Sequence, residues 1–229
     1  MKSKLVFIFL LILSIANFSA QTIQKMILNF SDDIEIHTEN YVFILNKNGS
    51  MMSFIPNDFN GNIEYYDNYY NQYNYGKYKK IGNHEIEYWN TSDEKDARYG
   101  KVKKIDNIEI DYWDSFNYDY GKFGKIKKIG LINIDYYEKY GFNTEIEGNI
   151  KNINDFFIKY WDNIQDKAKY AKIKTFGSVK LDYWDDYYGD KLRYGKLKSM
   201  VGNSDKIQVR VKFGFSFNGN KHPSPSALY

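Results

Sequence analysis

A period of about 24 residues constrains this chain more than any other feature. The stretch from Tyr99 to Asp114 reads YGKVKKIDNIEIDYWD: a glycine, a lysine-rich run, two turn residues, an acidic run and an aromatic pair. Aromatic pairs begin at Tyr65, Tyr88, Tyr112, Tyr136, Tyr160 and Tyr183, 23 or 24 residues apart. A second column, Gly76, Gly100, Gly124, Gly148, Ala171 and Gly195, keeps the same spacing independently. Two landmarks that hold one period over five intervals identify a tandem-repeat protein.

The repeat unit reads as a β-hairpin. Gly82-Asn83, Asp106-Asn107, Gly130-Leu131, Asn154-Asp155 and Gly177-Ser178 each sit between an apolar residue that ends the first strand and the start of the second, and suit turns of type I′ or II′, which need positive φ. Pairing across the turn sets Ile105 opposite Ile108 and Lys104 opposite Glu109. Strict alternation in that register would bring Lys101 and Lys103 onto the face of Ile108, Ile110 and Tyr112, a poor core. Each first strand also carries an apolar-x-x-apolar spacing: Tyr78/Ile81, Val102/Ile105, Ile126/Ile129, Ile150/Ile153, Ile173/Phe176 and Leu197/Met200. A β-bulge among the intervening lysines would put both apolar residues on one face.

Charge then chooses how the hairpins stack. A parallel solenoid would lay Lys77, Lys101 and Lys125 over one another at about 4.8 Å, whereas a meander separates them by two strands, about 9.6 Å. The expected fold is therefore all-β: an extended, twisted antiparallel meander of tandem 24-residue hairpins, solenoid-like, with an N-terminal strand cap.

The flanks divide the chain further. Residues 1–20 have the grammar of a signal peptide, with Lys2 and Lys4 before an apolar run from Leu5 to Ile15 and an expected cleavage after Ala20. Export to the periplasm, the cell surface or the medium follows. Residues 21–61 read as an N-terminal β cap over the first repeat, 62–203 as about six hairpin repeats, and 204–229 as a closing strand and flexible tail. The closing strand is the alternating run Ile207, Val209, Val211, Phe213, Phe215, Phe217. In the mature chain no later stretch has the roughly 20 apolar residues of a membrane helix, and with no cysteine there is neither a disulfide nor a thiolate metal site.

Function is less legible. Removing the leader leaves 30 basic against 29 acidic residues, which with export argues against nucleic acid as a partner. The carboxylate column Asp67, Asn90, Asp114, Glu138, Asp162 and Asp185 is where calcium would bind, but no loop has a D-x-D-x-D-G pattern, and Asp and Asn serve turns there. His37, His84 and His222 are scattered, and repetition argues against a singular active site. No catalytic residue, metal or cofactor is expected. The sharpest candidate is a row of rings, Tyr66, Trp89, Trp113, Tyr137, Trp161 and Trp184, as a platform for a glycan or protein partner or for self-association. The competing reading packs those rings on lysine stems and the glycine column. An outer-membrane barrel is the alternative architecture, and a carbohydrate-active enzyme a less favoured activity.

The unit YGK-x-KKI followed by IDYWD resembles the YD-type hairpin repeats of the Rhs class. It is more similar to exported bacterial proteins built from tandem I-D-Y-Y-D and G-K-x-K-x-I-G hairpins. The resemblance covers residues 62–203 and implies a hairpin-repeat fold without implying an activity. It departs from YD repeats in its period and its longer acid-to-glycine loop, and it has too few repeats for an encapsulating shell.

Overall fold

The computed structural model describes residues 22–29, 31–67, 69, 73–114, 121–139, 145–202, 204–211, 215–217 and 224–225. The leader, Phe213, His222 and most of the tail lie outside these. The chain is all-β, and no described residue is helical.

The repeats form a 12-stranded antiparallel meander in strict chain order. It runs β5 (Ile63–Tyr65), β6 (Tyr78–Ile81), β7 (His84–Tyr88), β8 (Val102–Ile105), β9 (Ile108–Tyr112), β10 (Ile126–Ile129), β11 (Ile132–Tyr136), β12 (Ile150–Ile153), β13 (Phe156–Tyr160), β14 (Ile173–Phe176), β15 (Val179–Tyr183) and β16 (Leu197–Val201). The sheet is not closed into a barrel: β5 and β16 are its two edges.

Hairpin pairing follows the expected register, with Lys104 opposite Glu109 and Ile105 opposite Ile108. It stops after those two pairs. Beyond them the Tyr112 hydroxyl donates to the Val102 carbonyl at 2.9 Å, so the ring takes over where strand pairing ends. Tyr136, Tyr160 and Tyr183 do the same to the carbonyls of Ile126, Ile150 and Ile173. The first turn residue has positive φ in all five turns: Gly82, Asp106, Gly130, Asn154 and Gly177.

The bulge is present in every copy. It forms against the strand across the long loop, where Tyr88 pairs with Val102 and Glu87 with Lys104, skipping Lys103. Lys79, Lys127, Lys151, Lys174 and Lys198 are skipped in the same way. Consequently Ile126 and Ile129, or Ile150 and Ile153, share the buried face although they are three residues apart.

A second sheet packs on that face. Its order is β19 (Ser224–Pro225), β18 (Phe215–Phe217), β17 (Ile207–Val211), β1 (Lys25–Leu28), β2 (Ile34–His37), β3 (Tyr41–Leu45) and β4 (Met51–Pro56). Tyr41, Phe43 and Leu45 of β3 are buried and join the repeat isoleucines in one apolar cluster. The Asn48-Gly49 turn seats on repeat Tyr136, and the Lys47 carbonyl accepts from the Ile150 N–H at 2.8 Å.

Two expectations change here. The N-terminal strands lie across the middle hairpins, while the face of the first hairpin stays open, with Ile63, Tyr65 and Tyr78 exposed. The alternating run from Ile207 to Phe217 is not one strand: Val211 pairs antiparallel with Phe215, so the chain reverses between them. β17 runs parallel to β1, Met26 opposite Ile207, and in that place Ile207 and Val209 are buried.

Candidate functional site

The six rings of the row occupy the position just after each acidic strand, and all six are half-buried. Their polar atoms point along the array. Tyr66 donates to the Ile86 carbonyl at 2.8 Å, Trp113 to Ile134 at 3.4 Å and Tyr137 to Ile158 at 3.0 Å. Each donor reaches the acidic strand of the following repeat. The indole N–H groups of Trp89 and Trp161 are buried without an acceptor among the described residues.

Every tryptophan also carries two cations. Trp89 has Arg98 and Lys103 at 4.8 and 5.6 Å from the ring centroid, and Trp113 has Lys122 and Lys127 at 5.1 and 5.3 Å. Trp161 has Lys169 and Lys174 at 5.0 and 4.5 Å, and Trp184 has Arg193 and Lys198 at 4.0 and 5.1 Å. One cation of each pair is the bulged lysine, so the bulge aims a charge at a ring. The other stands two residues before the glycine column. Where the ring is tyrosine that second position is neutral: Asn74 for Tyr66 and Ile146 for Tyr137. Tryptophan is the strongest cation acceptor among the aromatics, so the two columns vary together for a physical reason.

Carboxylates complete these clusters. Lys122 bridges Asp135 and Glu138 at 2.9 and 3.3 Å, and Lys169 bridges Asp182 and Asp185 at 3.0 and 2.7 Å. Glu138 and Asp185 belong to the column considered for calcium, and here they neutralise the ring-bound lysines. Among the described residues no cluster of histidines and acids has a metal-holding arrangement.

A second ladder lies on the neighbouring column. Lys77, Lys101, Lys125 and Lys172 sit 4.7 to 5.1 Å from the ring centroids of Tyr88, Tyr112, Tyr136 and Tyr183. Each then donates to the carbonyl of the next glycine in its column: Gly100, Gly124, Gly148 and Gly195. Burial lowers the pKa of Lys77, Lys101 and Lys172 below that of a free lysine.

One cluster stands apart from the repetition. Tyr41, Asp58, His84 and Asp106 come from β3, the segment after β4, the start of β7 and a hairpin turn. His84 Nε2 lies 2.6 Å from Asp58, and its Nδ1 lies 2.7 Å from both Asp106 and the Tyr41 hydroxyl. The Tyr41 hydroxyl donates to Asp106 at 2.5 Å. Burial lowers the pKa of His84, but the two carboxylates outweigh it and the net shift is upward. With carboxylates at both nitrogens the imidazolium form is favoured, and both ring nitrogens are engaged by groups of the chain itself. The group therefore clips the second sheet to the first repeats. The sequence offers no signal for it, because its members are up to 65 residues apart.

A groove of about 420 Å³ runs beneath β4, lined among others by Met51, Phe54, Tyr78, Tyr88 and Val102. It lies between β4 of the second sheet and the early strands of the meander. No helix among the described residues is long and apolar enough to cross a membrane. No protein-family model matches the chain, and neither does a curated protein or a solved structure.

Proposed function

We propose that this chain is an exported, non-catalytic structural module whose aromatic row is internal reinforcement and not a ligand platform. One observation carries the reading. Each tryptophan that could stack on a ligand already holds two cations of its own chain, and at least one cation of each pair is in turn held by a neighbouring acid. A sugar stacking on Trp113 would have to displace Lys122 and Lys127 and leave the buried Lys122 without its ring. The desolvated contact of Lys122 is worth roughly 2 kcal/mol and the exposed one of Lys127 roughly 0.5–1 kcal/mol, which a stacking sugar would have to replace. Export rests on the leader grammar of residues 1–20, and absence of catalysis on the repetition of the acid-rich positions in the array and on the engagement of both His84 nitrogens by Asp58 and Asp106.

The test is tryptophan fluorescence during titration with plant, chitin and peptidoglycan oligosaccharides, together with the thermal stability of Trp113→Ala. The expected result is no saturable change with any sugar and a loss of about 3 kcal/mol for the variant. Saturable quenching that vanishes in Trp113→Ala, with stability unchanged, would overturn the reading.

A further inference from the structure

The meander is cut in mid-repeat at both ends. β5 is an acidic strand, aligned with β7 and β9, and has no lysine strand before it. β16 is a lysine strand, aligned with β8 and β10, and has no acidic strand after it. Inside the array every lysine strand turns into an acidic strand, as Lys104 with Glu109 and Ile105 with Ile108. The two edges are therefore complementary halves of one repeat.

The bonds that link neighbouring repeats are left in the same complementary state. The rung lysines of the interior are half-buried, whereas Lys196, next in that column, is exposed and has no hairpin beyond it. At the other end the Tyr65 ring is 52% exposed, and the space around Gly76 is open. These are the ring and the carbonyl that a rung lysine would take in the first repeat. The aromatic donors repeat the pattern. Tyr66, Trp113 and Tyr137 reach the carbonyls of Ile86, Ile134 and Ile158, so Trp184 lacks a strand to reach, and Ile63, aligned with Ile86, lacks a donor before it. Apolar surface is exposed at both edges, Val201 at 63% and Ile63 at 47%.

We propose that copies of this chain assemble head to tail, β16 of one copy pairing with β5 of the next so that the repeat runs on across the junction. The repeat register sets the contacts: Ser199 opposite Asn62, Met200 opposite Gly61, Lys196 over the Tyr65 ring and donating to the Gly76 carbonyl. Neither strand pair sets like charges against each other. The contact is heterologous, so it grows into an open filament unless its rotation closes a ring. Unprotected sheet edges are the usual route to such growth. The inference deepens the structural reading, because it makes the partner a second copy of the chain.

The test uses the exported full chain and two variants of exposed residues, Ile63→Lys at the leading edge and Lys196→Glu at the trailing edge. Sedimentation velocity of the unmodified chain should show mass rising with concentration beyond a dimer. Each variant alone should stay monomeric, and an equimolar mixture should double in mass and stop there, since only one sound junction can form. The chain has no cysteine, so Asn62→Cys and Ser199→Cys supply a readout that does not depend on weakening an edge. Mixed under oxidation they should give a disulfide-linked dimer, and neither alone should do so. A monomer at every concentration with no crosslink, or oligomers indifferent to both variants, overturns the assembly. A monomeric result leaves the structural module intact, whereas sugar-dependent quenching would remove that reading and not the assembly.

Discussion

Asn149 and Ala171 occupy one rung of the ladder on which the other repeats place a lysine and a glycine. A Cβ added to Gly124, Gly148 or Gly195 would come within 2.9, 2.6 or 2.8 Å of the lysine nitrogen bonded there. Asn149 is shorter, and its amide turns back to the Glu145 carbonyl at 2.9 Å. The methyl of Ala171 then has room, although its φ of 61° is still the left-handed conformation of the column. The two departures from the repeat are one substitution in physical terms.

That coupling is measurable. The left-handed region costs an L-residue roughly 1–2 kcal/mol, and glycine returns about half of this through the entropy of the unfolded chain. Ala171→Gly should gain about 0.5 kcal/mol in urea unfolding. Asn149→Lys should lose about 1–2 kcal/mol by crowding the methyl. The double variant should exceed the sum of the two by about 1 kcal/mol or more, and additivity would show that the rung is not shared.

Gly49 tests the seat between the sheets. A Cβ there would lie 2.2 Å from the Tyr136 ring, which is fully buried and anchored to the Ile126 carbonyl at 2.7 Å. Gly49→Ala should cost about 3 kcal/mol, combining the left-handed backbone penalty with overpacking. Gly61→Ala is the control, since Gly61 has φ of 89° and nothing within 4 Å. It should show the backbone part alone, and equal losses at both sites would mean the turn does not press on Tyr136.

The His84 clip gives stability a pH dependence of defined sign. Its pKa is raised in the folded chain, so its contribution is complete below the ordinary value of about 6.5 and is lost as pH rises through the raised value. The pKa of Asp106 is lowered by Tyr41 and His84 against the opposing effect of burial, so its share is lost on acidification below about pH 4. The stability difference between the parent and His84→Gln should therefore be largest between about pH 4 and 6.5 and shrink toward pH 9. A difference that is flat across that range would mean that His84 is not charged in the fold.

Alkali should act through the tyrosine ladder. Burial raises the pKa of Tyr112, Tyr136, Tyr160 and Tyr183, and pushes Tyr88 up to about 12. A phenol whose folded pKa is raised stabilises the fold below about pH 10, and that stability is lost above it. Ultraviolet absorbance of tyrosinate should rise in two stages. The ladder rings supply the later stage, because they ionise only with unfolding. A single smooth titration at the ordinary tyrosine value would contradict their burial.

Period, hairpin, turn chemistry, bulge and meander were all legible in the sequence because each is local. Positive φ at Gly82 or Asp106, and the displaced Lys103, follow from residues within one repeat whose neighbours are set by the chain itself. The second cation column, Arg98, Lys122, Lys169 and Arg193, was readable too once the copies were aligned, since it changes with the ring it serves. What required the tertiary structure was every contact between segments without a shared period. The N-terminal strands lie across the middle hairpins and leave the outer face of β5 and β6 open, β17 joins them in parallel, and Tyr41, Asp58, His84 and Asp106 converge. Such contacts depend on which apolar face is left uncovered after the hairpins have formed, and no local pattern encodes that. The sequence by itself determined the repeating element and its internal bonds. The tertiary structure decided that the four tryptophans of the row each lie against two cations of the chain and that the array ends, at β5 and β16, in two halves of one repeat.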